Sequence, residues 1–279
     1  MVGSMTAFTV NDMFFKLLND DLPFFQALFF RTLLVAIFML FLARARGALR
    51  VGLTTGDRNL IAVRTLAEAA AAYLFLTALI NLPIANVTAI IQALPLTVTL
   101  GAALVLRESV GWRRLVAILI GLVGVLLIVR PGGADFSLYS LFAVGAVICV
   151  TVRDLAARRI SPGVPSLFIA LISTLGVLVL GAVGAVFTTW APMTGQGMLY
   201  LVSSAFFVMC AYLFSVSAMR VGEVGFVSQF RYTSLLVALV IGLVVFNEWP
   251  DSLTLIGAAI VVGTGLFTLW RERTHQSEP

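Results

Sequence analysis

AALVLRES, Ala102–Ser109, closes one apolar run, and LVVFNEWP, Leu243–Pro250, closes another. In both a polar residue precedes a glutamate, and Glu248 stands 140 positions after Glu108 in a chain of 279 residues. At that offset Ala78 meets Ala218, Ala85 meets Gly225, Gln92 meets Tyr232 and Leu106 meets Phe246, without a gap. A one-residue shift brings Gly124 of GLVGVLL onto Gly265 of GTGLFTL. Such a match in apolar sequence is weak alone, and its weight depends on how the rest of the chain divides.

The chain is 61% hydrophobic and 11% charged, with a mean hydropathy of +1.07. A soluble domain is roughly 45–50% apolar and 25% charged, so this is an integral membrane protein. Apolar runs of about 20 residues between short polar turns mark a bundle of transmembrane helices, not the alternation of barrel strands. Ten spans are predicted, approximately Val2–Leu18, Pro23–Leu42, Asn59–Ile80, Pro83–Leu106, Trp112–Val129, Leu138–Val152, Pro165–Trp190, Gly197–Met219, Val221–Phe246 and Ser252–Trp270. The first and sixth are short or polar for a span. The first begins so near Met1 that a leading turn is missing, which points to a truncated or misassigned start. With no basic leader and no small-residue cleavage site, it is not expected to act as a cleavable signal peptide.

The basic residues set the orientation. Thirteen of the 18 follow even-numbered spans: Arg44, Arg46, Arg50 and Arg58; Arg107, Arg113 and Arg114; Arg153, Arg158 and Arg159; Arg220; Arg271 and Arg273. The other side carries Arg130 with Asp20, Asp21, Asp135 and Asp251. Both termini are therefore expected in the cytoplasm. This bias absorbs a pI of 9.8, leaving no reason to infer nucleic acid. Cys149 and Cys210 fall inside apolar runs and read as packing residues.

Five and five spans make two units, 1–133 and 134–279. An odd number of crossings per unit inverts the second in the membrane, so the fold class expected is all-α, ten transmembrane helices as two inverted five-helix repeats. Such repeats place a site near the midplane and support states open to either side in turn. Glu108 and Glu248 then lie at opposite faces, each before the next helix, where the helix dipole favours a carboxylate. That structural role is preferred over gating or ion coupling.

This organisation resembles a known family. VNDMFFKLL in span one, FFRTLLVAIF in span two, and the paired runs LPIANVTAIIQALPLTVTLGAALVLRE and VGEVGFVSQFRYTSLLVALVIGLVVFNE are similar to the EamA-type branch of the drug/metabolite transporter superfamily. The resemblance covers essentially the whole chain. It implies a ten-helix exporter or importer of a small metabolite, with spans three, four, eight and nine largely enclosing a central cavity. The chain departs from strict symmetry where Pro95 has Leu235 as its counterpart.

Polar residues inside the spans are the candidate site. Thr88, Gln92 and Thr99 share one stripe of span four, and the repeat maps Thr88 and Gln92 onto Ser228 and Tyr232. These groups either bond between helices or line a wet cavity; cavity lining is the reading preferred for the paired stripe. Pro95 leaves the Ile91 carbonyl without its helical donor, so a kink is expected there, as a hinge or as fixed curvature. An intramembrane charge costs at least about 2.5–3.5 kcal/mol, which singles out Asp12 and Lys16, four apart in span one, and Arg64 and Glu68, four apart in span three. Either pair can close on itself. Arg64 can also snorkel to the surface. Arg31 and Arg231 are candidates for structural ion pairs or for a substrate carboxylate, and Tyr73 and Tyr212 for cavity aromatics. The residues expected to bind substrate or bound the cavity are Glu68, Tyr73, Thr88, Gln92, Ser228 and Tyr232.

No enzyme constellation is visible: His275 in the tail is the only histidine, and no Walker-type loop or metal spacing occurs. No catalytic residue, metal or cofactor is expected. A channel is a weaker reading, and a membrane enzyme weaker still. A secondary carrier in a bacterial inner membrane is expected, as monomer or homodimer, its partners the lipid bilayer and a small-molecule substrate. An amino acid or related amphipathic compound is the first expectation for substrate, with a nucleotide-like metabolite, vitamin or drug as alternative. Proton coupling through Glu68 or Asp12 and uncoupled diffusion are both open, as is the direction of transport.

Overall fold

The computed structural model describes residues 1–49, 51–107, 111–132, 136–221 and 230–276, the side chains of 114, 216, 219–221 and 269–276 excepted. All regular structure among these residues is helical: α1 Val2–Leu18, α2 Phe24–Ala45, α3 Thr55–Asn81, α4 Ile84–Ile91, α5 Leu94–Gly101, α6 Trp112–Val129, α7 Leu138–Arg159, α8 Ser166–Val186, α9 Gly195–Val221, α10 Thr233–Val245 and α11 Ser252–Gln276. A π-turn, Ala102–Leu106, continues α5, and a 3₁₀ turn, Phe230–Tyr232, leads into α10. Taking α4, α5 and the π-turn as one rod, six helices among the described residues are long and apolar enough to cross a membrane, and Leu115–Val129, Phe230–Val245 and Ser252–Thr268 are shorter apolar helices.

Local chemistry sets the ends. Pro23, Pro83 and Pro165 precede α2, α4 and α8, where a missing N–H costs nothing. At α3 a capping box forms, Thr54 Oγ1 accepting from Asp57 N at 3.1 Å while Asp57 Oδ2 accepts from Thr54 N at 3.2 Å. The buried Asp57 carboxylate also accepts from Ser161 N at 2.9 Å and Ser161 Oγ at 3.1 Å, which ties the start of α3 to the α7–α8 turn. Asp57→Ala strands these donors together and is expected to cost about 2 kcal/mol, read as a loss of unfolding free energy in mixed micelles.

The two endings with which the sequence reading began have a common backbone basis. Arg107 and Asn247 each take a left-handed conformation, at φ 57° and 53°, and each directly precedes its glutamate. Asn tolerates this region and Arg less so. Glu108 itself lies outside the described residues. Close to the kink expected from Pro95 the regular α-helix is interrupted at Gln92 and Ala93, where Ala93 N turns to Ile90 O at 3.0 Å.

The closest helix pairs are α3 with α7, α1 with α9, α2 with α8, and α6 with α11. Further contacts join α3 to α8, α2 to α9, α10 to α1, and α4 and α5 to α7. The α6–α11 crossing brings backbone against backbone, with Gly124 facing Gly257. The small faces at Gly176, Gly181 and Gly184 admit Thr65, the α2 backbone at Phe29, and the Phe25 ring. They serve packing within the chain.

Candidate functional site

Between α1, α2, α3, α7, α8 and α9 lies a cavity of about 390 Å³, within the range of small-molecule sites. Its wall takes Phe8 and Asp12 from α1, Arg31 from α2, Glu68 from α3 and Tyr212 from α9. The lining runs from the middle of the bundle towards the starts of α1 and α8. Towards the other end Phe15, Leu18, Leu22, Leu28, Leu79 and Ile84 pack into a fully buried apolar layer. The cavity is thus closed by side chains in one direction.

Of the six residues expected to bound the cavity, Glu68 lines it. Tyr73 does not: its ring stacks on Phe25 at 6.1 Å and meets Phe24 edge-on at 5.9 Å. Thr88 Oγ1 returns to Ile84 O at 2.8 Å. The buried Gln92 donates to Ser234 Oγ at 2.9 Å and to Arg231 O at 3.3 Å, so it stitches the α4–α5 break to the 3₁₀ turn. Tyr232 is buried with its hydroxyl against Gly265. Ser228 lies outside the described residues. The polar stripe of span four was read as cavity wall, but packing against α10 turns it into a helix seam. In the same way the enclosing set implied by the family resemblance is corrected: among the described residues, spans one, two, six and seven join three, eight and nine in the wall, nine through Arg231, and span four contributes none of it.

The charged candidates fare differently. Asp12, Arg31, Arg64 and Arg231 all line the cavity. Neither four-residue pair closes on itself. Asp12 accepts from Asn11 Nδ2 at 2.9 Å, while Lys16 Nζ reaches Glu248 Oε1 at 2.8 Å and Leu82 O at 2.7 Å. Glu68 takes two bonds from Arg153 Nη1, at 3.1 and 3.0 Å, and Arg153 Nε bonds Asp154 at 2.9 Å. Arg64 instead donates through Nη1 to Ser173 Oγ. Arg31 is held by Asn11 Oδ1 at 2.8 and 3.2 Å and by Ser204 Oγ at 3.0 Å, with its guanidinium over the Phe15 ring.

Arg153 was placed in a cytoplasmic loop by the sequence reading; it stands inside α7, which runs on to Arg159. The signal was available, because a sixth span ending at Val152 has only about 15 residues where roughly 20 are needed to cross a bilayer. Extending it by two turns carries Arg153 and Asp154 inwards. Asn11, Ser173 and Ser204 gave no comparable signal, since short polar groups are common within membrane helices.

At the closed end, Glu248 does cap a helix, but a different one from that expected. Its Oε2 accepts from Ile84 N at 3.2 Å, at the start of α4. The helix that follows it, α11, is served by Asp251, whose Oδ1 accepts from Thr254 N at 2.8 Å and pairs with Arg130. Burial opposes ionisation of Asp251, yet the bonds from Thr254 and Arg130 outweigh it and hold the carboxyl below its ordinary value. Lys16 and Glu248 therefore join the ends of α1, α3 and α10 into one cluster, with the ammonium also 4.8 Å from the Phe246 ring centre. Lys16→Met is expected to cost about 1–2 kcal/mol of stability, and Glu248→Gln less, because the amide oxygen still accepts. Unfolding titrations of both variants check the order.

A membrane bundle enclosing a charged cavity is the construction of a solute carrier. The comparisons place it more narrowly: the model of the EamA-like transporter family matches residues 1–130 and 137–270, and the chain belongs to that family. It is a transporter of the drug/metabolite superfamily and not an enzyme. It is 24% identical to an S-adenosylmethionine uptake transporter of Rickettsia prowazekii, over 98% of this chain and 92% of that protein. It is 30% identical to a riboflavin transporter of Vibrio cholerae, over 70% of this chain and 66% of that one. A pseudopaline exporter, CntI, of Pseudomonas aeruginosa is 25% identical over 91% and 89% of the two chains. One solved crystal structure shares the fold with a TM-score of 0.60 at 18% identity, covering 99% of each chain.

Proposed function

We propose that the protein is a secondary carrier of a ring-bearing metabolite, of nucleotide-like or vitamin class, which it moves by alternating access around the cavity between two inverted five-helix repeats. The observation that carries this reading is the cavity itself: one chamber with charged walls, shut at one end by packed side chains. The repeat is supported by the pairing of helices. Exchanging the first five spans for the second five turns α3 with α7 into α9 with α1, and α3 with α8 into α9 with α2, all of which are packed pairs. The family match in two segments supports two units, 1–133 and 134–279.

Substrate class follows from the relatives' names and from the cavity. S-adenosylmethionine joins an adenosyl and a methionine part, and riboflavin is a vitamin; both are bulkier than a free amino acid. This favours the alternative over the amino-acid expectation. With both termini cytoplasmic in a bacterial inner membrane, the closed end faces outwards and the cavity opens inwards. If protons are coupled, Asp12 is the better carrier, because Glu68 is engaged by Arg153 in two bonds whereas Asp12 has a single neutral donor in Asn11.

Counterflow in proteoliposomes tests the reading. Vesicles loaded with S-adenosylmethionine, riboflavin or a mixture of amino acids are scored for saturable uptake of the matching labelled compound. Exchange of either of the first two supports the proposed class; exchange of amino acids alone returns the substrate to the earlier expectation. Repeating the assay across pH gradients of both signs with Asp12→Asn decides coupling, since a gradient effect lost in that variant supports it and an unchanged one excludes Asp12.

A further inference from the structure

Four arginines and two carboxylates line the cavity, and a third carboxylate, Asp154, adjoins Arg153. Two of the arginines are provided for. Arg153 is bonded to Glu68 and Asp154, and Arg31 to Asn11 and Ser204. The other two are not: Nε of Arg64 and Nε of Arg231 are buried and have no hydrogen-bond partner among the described residues. A buried N–H without an acceptor costs about 1–3 kcal/mol, and more when it belongs to a charged group. Two such donors on one cavity call for an acceptor from outside the chain.

We infer that Arg64 and Arg231 form an anion subsite of the carrier, a two-arginine clamp for a carboxylate or phosphate group of the substrate, with one arginine supplied from α3 and the other from the turn before α10. This deepens the proposed function and rests on it. Guanidinium groups present paired N–H donors that match such an anion in two-point contact. Arg64 is held by Ser173 through Nη1, and its side chain lines the cavity. Neutralising the clamp also balances the excess of positive charge in the wall. Because the two residues belong to different halves of the chain, an anion between them bridges the halves and biases the chamber towards closure around it. Arg31 and Arg153, whose donors are engaged, are positioning residues for the wall.

The test has two arms, one of which needs no knowledge of the substrate. Purified protein in detergent is heated with rising inorganic phosphate or acetate against chloride at equal ionic strength. Wild type is expected to be stabilised in proportion to the anion, and Arg64→Gln and Arg231→Gln to lose that response while Arg44→Gln, at an exposed position near the end of α2 and outside the wall, keeps it. In the second arm, counterflow compares S-adenosylmethionine with its decarboxylated form, and riboflavin with riboflavin 5′-phosphate. Wild type is expected to favour the acid-bearing member of the pair it exchanges by tenfold or more, and both Gln variants to erase the preference; Arg64→Lys, which keeps the charge and loses the two-point contact, is expected to fall between. If phosphate and acetate act on wild type and on both Gln variants alike, the clamp is wrong whatever the substrate. If the anion response follows the clamp but neither pair is exchanged, the clamp stands and the proposed substrate class falls.

Discussion

Arg153→Met is expected to abolish transport and to lower the unfolding free energy by about 3 kcal/mol, the order found when one partner of a buried pair is removed. Arg153 answers both Glu68 and Asp154, and its side chain and that of Glu68 are only 25% and 19% exposed. Without the guanidinium two carboxylates share a wall of low dielectric. Both would have to take up protons or draw in water. The compensating change separates charge from shape: Glu68→Met alone is expected to be strongly destabilised, and the double variant Glu68→Met with Arg153→Met to be more stable than the sum of the singles allows. Unfolding titrations on the three variants measure this coupling. If the losses simply add, the pair contributes nothing beyond its separate residues.

Gly257→Val is expected to cost about 3 kcal/mol, at the upper end for overpacking. A Cβ on Gly257 would lie 2.6 Å from Gly124 O and 2.7 Å from Ile128 Cγ1, and one on Gly124 would lie 2.9 Å from Gly257 O. A backbone carbonyl cannot rotate aside as a side chain can, so α6 and α11 must part. Because the first substitution already separates the helices, Gly124→Val in the same chain is expected to add little. Gly263→Ala, on the same helix α11 with open space before it, is the control and is expected to be neutral or slightly stabilising.

The helical, membrane-spanning character was legible in the sequence because the bilayer imposes it: apolar span length is a constraint acting on one segment at a time. The left-handed residue before each glutamate had no comparable signal, because Arg107 is not a residue type that favours that region. The site was less legible. Gln92 and Thr88 had the polarity of cavity residues, but which way a stripe faces is decided by the neighbouring helix, and α10 takes that face. Lys16 finds Glu248 at the far end of the sequence, a partner that no spacing rule proposes. Arg153 was lost to a span ended too early, a fault of boundary placement that a length argument could have corrected. Arg31, Arg64 and Glu68 were found because a charge inside a membrane helix is costly enough to demand a reason.

The central claim is that the halves close alternately on one chamber. With Cys149 and Cys210 replaced by alanine, spin labels on Asp20 and Phe187 report the closed end across the two halves, from α1 to α8, and labels on Val2 and Ser166 report the other end. Adding a substrate that the protein exchanges is expected to shift the two distances in opposite directions, the first lengthening as the second shortens. Distances that stay fixed during saturable exchange, or that lengthen together, would contradict the account.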